Sequence, residues 1–189
     1  MTQVTKEIIN RWGNYSDRKN NFDDDEDIVA FKKLCVESNG LLEFIKEYLP
    51  EGNYKWISKP YGKYGVDMGI LNKDSGEICL IIDLERWSQW KEDWPSYYRY
   101  LHFLGRKDHF LNEDVPFIMA YLNYNQNKVI LLNKETLNKY MTREKYFSYK
   151  KCNDMVKEIP MIEGYIFGAN LTNREINNFR NQITQGLFV

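Results

Sequence analysis

Gly65-Val66-Asp67-Met68-Gly69-Ile70-Leu71, then Asn72-Lys73-Asp74-Ser75-Gly76, then Glu77-Ile78-Cys79-Leu80-Ile81-Ile82-Asp83-Leu84-Glu85-Arg86-Trp87 follow one another without a break. Two short apolar runs flank a five-residue linker of turn formers, which predicts a β-hairpin. With Leu71 facing Glu77, Asp67 pairs opposite Ile81, and Asp83 is its diagonal neighbour on the same face. Such neighbours lie about 7–8 Å apart at Cα. Alternation puts Asp83 and Glu85 on one face and turns Leu80, Ile82 and Leu84 toward a core. Three carboxylates are thus expected to converge on one side of the strand pair. Acids crowded beside an apolar sheet repel one another and lose water. A hard divalent cation with oxygen ligands offsets that cost, and Mg²⁺ (or Mn²⁺) is the expected cofactor. The plainer reading is an exposed hairpin with acids on its wet face.

This arrangement resembles the PD-(D/E)XK nuclease superfamily, in which an Asp begins the second strand and a (D/E)-x-K ends the third. Asp67 matches the first Asp and Asp83 the second acid, while Glu85 stands where Lys is usual. A minority of restriction enzymes in that superfamily carry Glu there and still cut. The likeness covers roughly residues 26–123 as an order of elements, and its motif is short. It implies an α/β fold: a mixed central sheet flanked by helices, with a restriction-endonuclease-like αβββαβ core and C-terminal additions. The chain is then a single domain over 1–189, with a core at about 26–133 and an extension at about 134–189.

The resemblance also implies a divalent-metal-dependent DNA phosphodiesterase. Asp67, Asp83 and Glu85 would be the metal residues, with the Leu84 carbonyl as a further ligand. Glu85 would orient the attacking water or bind a second ion. The missing Lys leaves the site one cation short. Lys91, Arg86 or Lys59 could replace it, and Lys91 is preferred because it begins the segment just beyond the strand. Two alternatives stand beside this. One is a catalytically silent nuclease-like fold serving as a nucleic-acid-binding or structural subunit. The other is a small interaction protein with exposed aromatics. DNA is the expected partner, a homodimer is open, and no membrane association is expected.

Composition narrows the classes. A formal net charge of -1 announces no nucleic-acid binder, so any such surface must be local. Cys35, Cys79 and Cys152 form no CxxC and no zinc pattern, so reduced thiols in the cytoplasm are expected. No secretory leader or membrane-length apolar run is visible. GxSxG, a P-loop and GxGxxG are missing from the sequence. His102 reads as structural, and His109 has no nucleophile motif beside it.

Outward from the hairpin, residues 1–13 read as an amphipathic helix and Asp23–Asp27 as acids at a helix N-terminus. A helix follows over about Asp27–Leu49, broken at Ser38-Asn39-Gly40. The resemblance implies that this helix can lend a Glu to the metal site, which leaves Glu37, Glu43 and Glu47 open beside the plainer reading of solvated helical acids. Tyr54–Ser58 is the first strand. Lys59 and Lys63, with Tyr61 and Tyr64, lie in a turn near the mouth of the acidic site, where they could touch phosphates or form an ordinary loop. Beyond the hairpin, Asp93 and Pro95 predict a helix running to Leu104 with Gly105 as its stop, and Trp94, Tyr97, Tyr98 and Leu101 as a core stripe. Arg106 and Lys107 then satisfy the helix end. Val115–Leu122 and Lys128–Leu132 are strands. Over 128–151, seven Lys and Arg face two Glu, with aromatics interleaved. Arg86, Arg143, Lys145, Lys150 and Lys151 join Lys59 and Lys63 as candidate nucleic-acid contacts. A solvated helical segment is the equal alternative there. Residues 159–171 read as a last strand, and Thr172–Glu175 as the capping box of a final helix.

Overall fold

The predicted hairpin lies in the middle of the molecule. The computed structural model describes residues 24–62, 65–95, 98–148, 151–169, 171, 176, 177 and 180. The helix expected at 1–13, Lys63, Tyr64, Tyr97, Lys150 and the capping box at 172–175 lie outside the described residues. β1 (Tyr54–Ser58), β2 (Met68–Asn72) and β3 (Ile78–Trp87) form an antiparallel run. β4 (Tyr100–Leu104) leaves that sheet, and β5 (Phe117–Asn123) returns to pair in parallel with β3. β6 (Lys128–Asn133) continues antiparallel. β7 (Arg143–Phe147) and β8 (Cys152–Pro160) join β4 in a second sheet of order β4-β8-β7. β9 (Tyr165–Gly168) closes the main sheet, whose order is β1-β2-β3-β5-β6-β9.

Side-chain alternation makes three layers from this. Leu80, Ile82 and Leu84, with Ile118, Ala120 and Leu122, pack under α1 (Asp24–Glu37) and α2 (Leu41–Lys46). Phe31, Leu34, Leu41 and Ile45 are the helices' share of that core. The opposite face carries Ile81, Phe117, Met119, Tyr121, Ile130 and Leu132, which meet Leu101, Phe103 and Ile159 of the second sheet. β3 and β5 are therefore covered on both faces, which is why they read as nearly continuous apolar runs. The mixed sheet flanked by helices is as expected. So is the helix break, where Gly40 takes the left-handed conformation at φ 84° between α1 and α2. A short α3 (Lys134–Asn138) starts at Asn133, whose side chain accepts from the Thr136 amide.

Four local expectations are corrected. The segment predicted as a helix to Leu104 holds strand β4, followed by a 3₁₀ helix over Gly105–Asn112. Trp94, Tyr98 and Leu101 fit a 3.6-residue period, but Tyr98–Leu104 fits a period of two equally well, and β8 supplies the ladder partner. Gly105 is not a helix stop. A Cβ there would lie 2.9 Å from Met155 Cβ, so its lack of a side chain lets β8 approach. Within 128–151 the alternative of one solvated helix gives way to β6, α3 and β7. The strand expected over 159–171 is split by a 3₁₀ turn at Met161–Glu163, so that its parts enter different sheets.

The hairpin register also differs. Met68 pairs with Ile82, Gly69 with Ile81 and Ile70 with Leu80, and a bulge at Leu71 sets that residue opposite Ile78. The loop closes on Asn72, whose Oδ1 accepts from the Asp74 and Ser75 amides at 2.8 and 3.2 Å. The ladder is thus two residues further along β3 than predicted. A two-residue shift keeps every side chain on its own face.

Candidate active site

Continuing the ladder one step past Met68–Ile82 brings Asp67 opposite Asp83. The two acids are direct neighbours, closer than the expected diagonal. The Leu84 amide donates to Asp67 Oδ2 at 2.8 Å, so the resembled site's neighbour residue is used here through its N–H. Lys59, in a left-handed conformation at φ 49°, donates its own amide to the Asp67 carbonyl at 2.8 Å and pins the chain entering β2. Its side chain is half-buried, and Lys59 and Asp67 meet through their backbones.

Asp83 is 5% exposed, between the apolar Ile81 and its β5 partner Met119. Asp83 therefore lies inside the molecule, and Asp67 is partly buried beside it. Burial pushes the Asp67 carboxyl up to about 8, helped by the neighbouring Asp83 charge; the Leu84 amide and Lys107 pull the other way. A side-chain contact with Asp83 adds to the rise. Glu85, on the same face, is paired with Tyr121 on β5, and its side chain is 34% exposed.

The cation at these acids is Lys107, not Lys91. Lys107 Nζ rests against Asp83 Oδ2 and lies 3.7 Å from Glu85 Oε2, with 15% of its side chain exposed. The contact with Asp83 is an ion pair; Asp83 Oδ2 has no hydrogen bond of ordinary geometry. Burial alone would lower the Lys107 ammonium, but Asp83 first, then Glu85 and Asp67, outweigh it and raise it, so Lys107 stays charged. Its 3₁₀ helix is fixed by its surroundings. Phe110 and Leu111 are buried, Thr142 Oγ1 donates to Asp108 Oδ2 at 2.6 Å, and His109 Nδ1 meets the Arg106 carbonyl at 2.8 Å. No motif spacing marks Lys107. It comes to the site only because β4 leaves the main sheet and the crossover returns over the acids.

The other predicted residues fall elsewhere. Lys91 is exposed on the loop beyond β3, where its carbonyl accepts from Asn123 Nδ2. Arg86 points to the helix side, with Nε 2.8 Å from Asp27 Oδ1 and a side chain 10% exposed. Glu37, Glu43 and Glu47 belong to the helical layer, across the sheet from Asp83. Among the described residues, no three His, Cys, Asp or Glu side chains gather closely enough to form a ready ion cage. Two acids meet, and Lys107 stands between them and Glu85.

A second charged cluster lies on the small sheet. Glu158, on β8 opposite His102, accepts from Lys145 and pairs with Arg143 and with His102 Nε2 at 3.4 Å. Lys145 Nζ is 3.0 Å from His102 Nε2. The His102 ring centre is 6.2 Å from Trp87, which also meets Trp94 at 5.0 Å and Tyr98 at 5.6 Å. Trp94 and Leu101 of the expected stripe are core and Tyr98 packs against them, though no helix carries these residues. Lys151 is exposed at the β7–β8 turn.

Among the described residues no helix is long and apolar enough to cross a membrane. No protein-family model and no curated protein matches the chain. Among solved structures it is similar to D212, a nuclease from a fusselovirus, at 16% identity and a TM-score of 0.45, over 85% of this chain and 92% of that one.

Proposed function

We propose that the protein hydrolyses phosphodiester bonds of DNA with a divalent cation held by Asp67 and Asp83. The observation that carries this is an excess of acid: Asp67 and the buried Asp83 on adjacent strands, with Glu85 beside them, against one cation among the described residues, Lys107. Asp83 Oδ2, buried and met only through the Lys107 ion pair among the described residues, and Asp67, whose carboxyl burial and then the Asp83 charge push up, fit a hard oxygen-seeking ion such as Mg²⁺ or Mn²⁺. When bound, that ion polarises a phosphate and lowers the pKa of water. The chain's own residues do the rest. The Leu84 amide fixes the Asp67 carboxylate. Glu85, whose side chain is far more open to solvent than that of Asp83, faces incoming water and orients it. Hydrolysis forms one P–O bond from water, breaks one ester P–O bond and returns the proton to the departing alkoxide. Arg143, Lys145, Lys151 and Lys59 are the described cations proposed for the DNA backbone, with Lys63 and Lys150 from the sequence.

The test is incubation with linear, circular and single-stranded DNA under Mg²⁺, Mn²⁺ or EDTA, with Asp83→Asn alongside. The proposal expects metal-dependent products that the variant does not form. Wild-type protein that leaves all three DNAs intact, or a variant that cuts as fast, would sink it. One observation favours the silent alternative: Lys107 lies at Asp83, where the ion would sit. DNA binding with no cleavage under any metal would establish that reading instead.

A further inference from the structure

Glu85 stands where the resembled superfamily has its lysine, and a lysine from another element lies beside it. We propose that Lys107 is the resident cation of the Asp67–Asp83 site: its ammonium holds the place of a divalent ion and moves to Glu85 when the ion binds. The inference rests on the proposed metal site and says how that site is kept and entered.

Three observations carry it. Lys107 touches Asp83, which is nearly closed to water, and lies 3.7 Å from Glu85, which is partly open to it, so one ammonium is within reach of both. The side-chain exposures of Asp83 and Glu85 are 7% and 34%, so movement from one to the other is movement outward. The 3₁₀ helix beneath is held by Phe110, Leu111 and the Thr142–Asp108 bond, which leaves rotation of the lysine's own stem as the means of travel. Glu85 thereby has a physical role. A lysine on β3 would add a fixed cation, whereas an acid at that position accepts a cation delivered from the crossover. The ammonium at Glu85 then faces the side from which a phosphate would arrive. Without Lys107, the buried Asp83 carboxylate would lose its ion-pair partner.

Two measurements test this without reference to cleavage. The first is Mn²⁺ affinity by calorimetry for the wild type, Lys107→Met and Lys107→Gln, the Gln variant keeping a hydrogen-bond donor for Asp83. Removing the competing charge is expected to tighten Mn²⁺ binding about tenfold or more. Affinity unchanged or weakened in a folded variant overturns the proposal. Glu85→Gln should weaken Mn²⁺ binding more in the wild type than in the Lys107→Gln background; equal losses would make Glu85 a plain ligand and remove its role as the second seat. The second measurement needs no variant. Reductive methylation of Lys107, read by mass spectrometry, should rise when Mn²⁺ is added, because the ammonium leaves the buried acid. Labelling that does not change at saturating Mn²⁺ overturns the movement. Should the wild type bind no Mn²⁺ and the Lys107 variants bind it, the resident-cation role stands and the nuclease reading falls. Should neither bind, both fall.

Discussion

Two charge clusters lie on the same side of the main sheet and are near mirror images in sign. At the first, Asp67, Asp83 and Glu85 share one lysine; at the second, Arg143 and Lys145 share one glutamate, Glu158. The difference is burial. At the first site Asp83 is nearly closed to water, and burial pushes the neighbouring Asp67 carboxyl up to about 8. Excess cation at the second reaches solvent, with Arg143 65% exposed. The same imbalance creates a demand for a ligand when buried and almost none when solvated. The charge pattern of a sequence therefore becomes informative about chemistry only once burial is known.

The largest expected effect lies at the buried cluster. Asp83→Asn removes a charge that both an ion and Lys107 depend on. Cleavage should fall by about 1000-fold, the several kcal/mol that a Lewis-acid contact supplies. The metal-free fold should also lose stability, because Lys107 loses its closest carboxylate and keeps Glu85 and the more weakly acting Asp67. That loss should stay under the about 3–5 kcal/mol of a fully buried broken pair, since Glu85 and some solvent remain. Arg143→Gln, at the exposed cluster, should cost at most about 1 kcal/mol. Equal losses in parallel thermal melts would abolish the contrast.

The proton on Asp67 gives the next effect. Its folded-state pKa, about 8, lies above the about 3.9 of an unfolded aspartate. The folded chain thus holds a proton that the unfolded chain has released. Stability from this group is fully present below about pH 4 and is lost as pH rises toward 8, with a slope of at most about 1.4 kcal/mol per unit. Chemical denaturation in EDTA across that window should show the decline, and Asp67→Asn, which mimics the protonated acid, should flatten it. Mg²⁺ at pH 8 should restore what the wild type lost. A profile that rises over this window would mean that Asp67 is ionised in the fold.

Smaller still is the expected change at the second cluster. Glu158→Gln keeps the size of the side chain and frees Arg143 and Lys145 from their carboxylate. If these cations meet a DNA backbone, binding should tighten at low salt. The log–log salt slope should also steepen by about 0.9 for each freed phosphate contact on duplex DNA. Fluorescence anisotropy at several salt concentrations reads both. An unchanged slope would make the cluster a brace between β4, β8 and β7 and remove it from the binding surface.

What the sequence discloses follows the range of the forces involved. The strands around the hairpin, the break at Gly40 and the face shared by Asp67, Asp83 and Glu85 depend on neighbours in the chain, and all are readable. The exact pairing is not, because the bulge at Leu71 leaves no mark beyond the turn residues, and a shift of two preserves the alternation. β4 reads as helix because its partner β8 lies more than fifty residues away, and a seven-residue aromatic run fits either period. Lys107 escapes notice for the same reason. Its charge looks like an ordinary helix-end cation as long as Tyr100–Leu104 is taken for a helix.

Lys91 supplies the smallest expected effect and the sharpest check on that last point. Sequence proximity to Glu85 favours it, because a sequence offers no other measure of distance. In the fold β3 runs on to Trp87, the loop carries the chain outward, and Asn123, which bonds the Lys91 carbonyl, pairs with Trp87 in the β3–β5 ladder. Trp87 is four residues beyond Asp83, about 13 Å along a strand. The backbone of Lys91 is thus fastened at the end of the sheet, and its exposed side chain contributes little to stability. Lys91→Gln should leave the melting temperature within the effect of an ordinary surface change, about 0.5 kcal/mol, and cleavage within about twofold of wild type. Lys107→Gln, measured beside it, should change Mn²⁺ affinity where Lys91→Gln does not. A Lys91 variant that loses cleavage while Lys107→Gln keeps it would return the missing cation to the loop and make the contact at Asp83 a structural one.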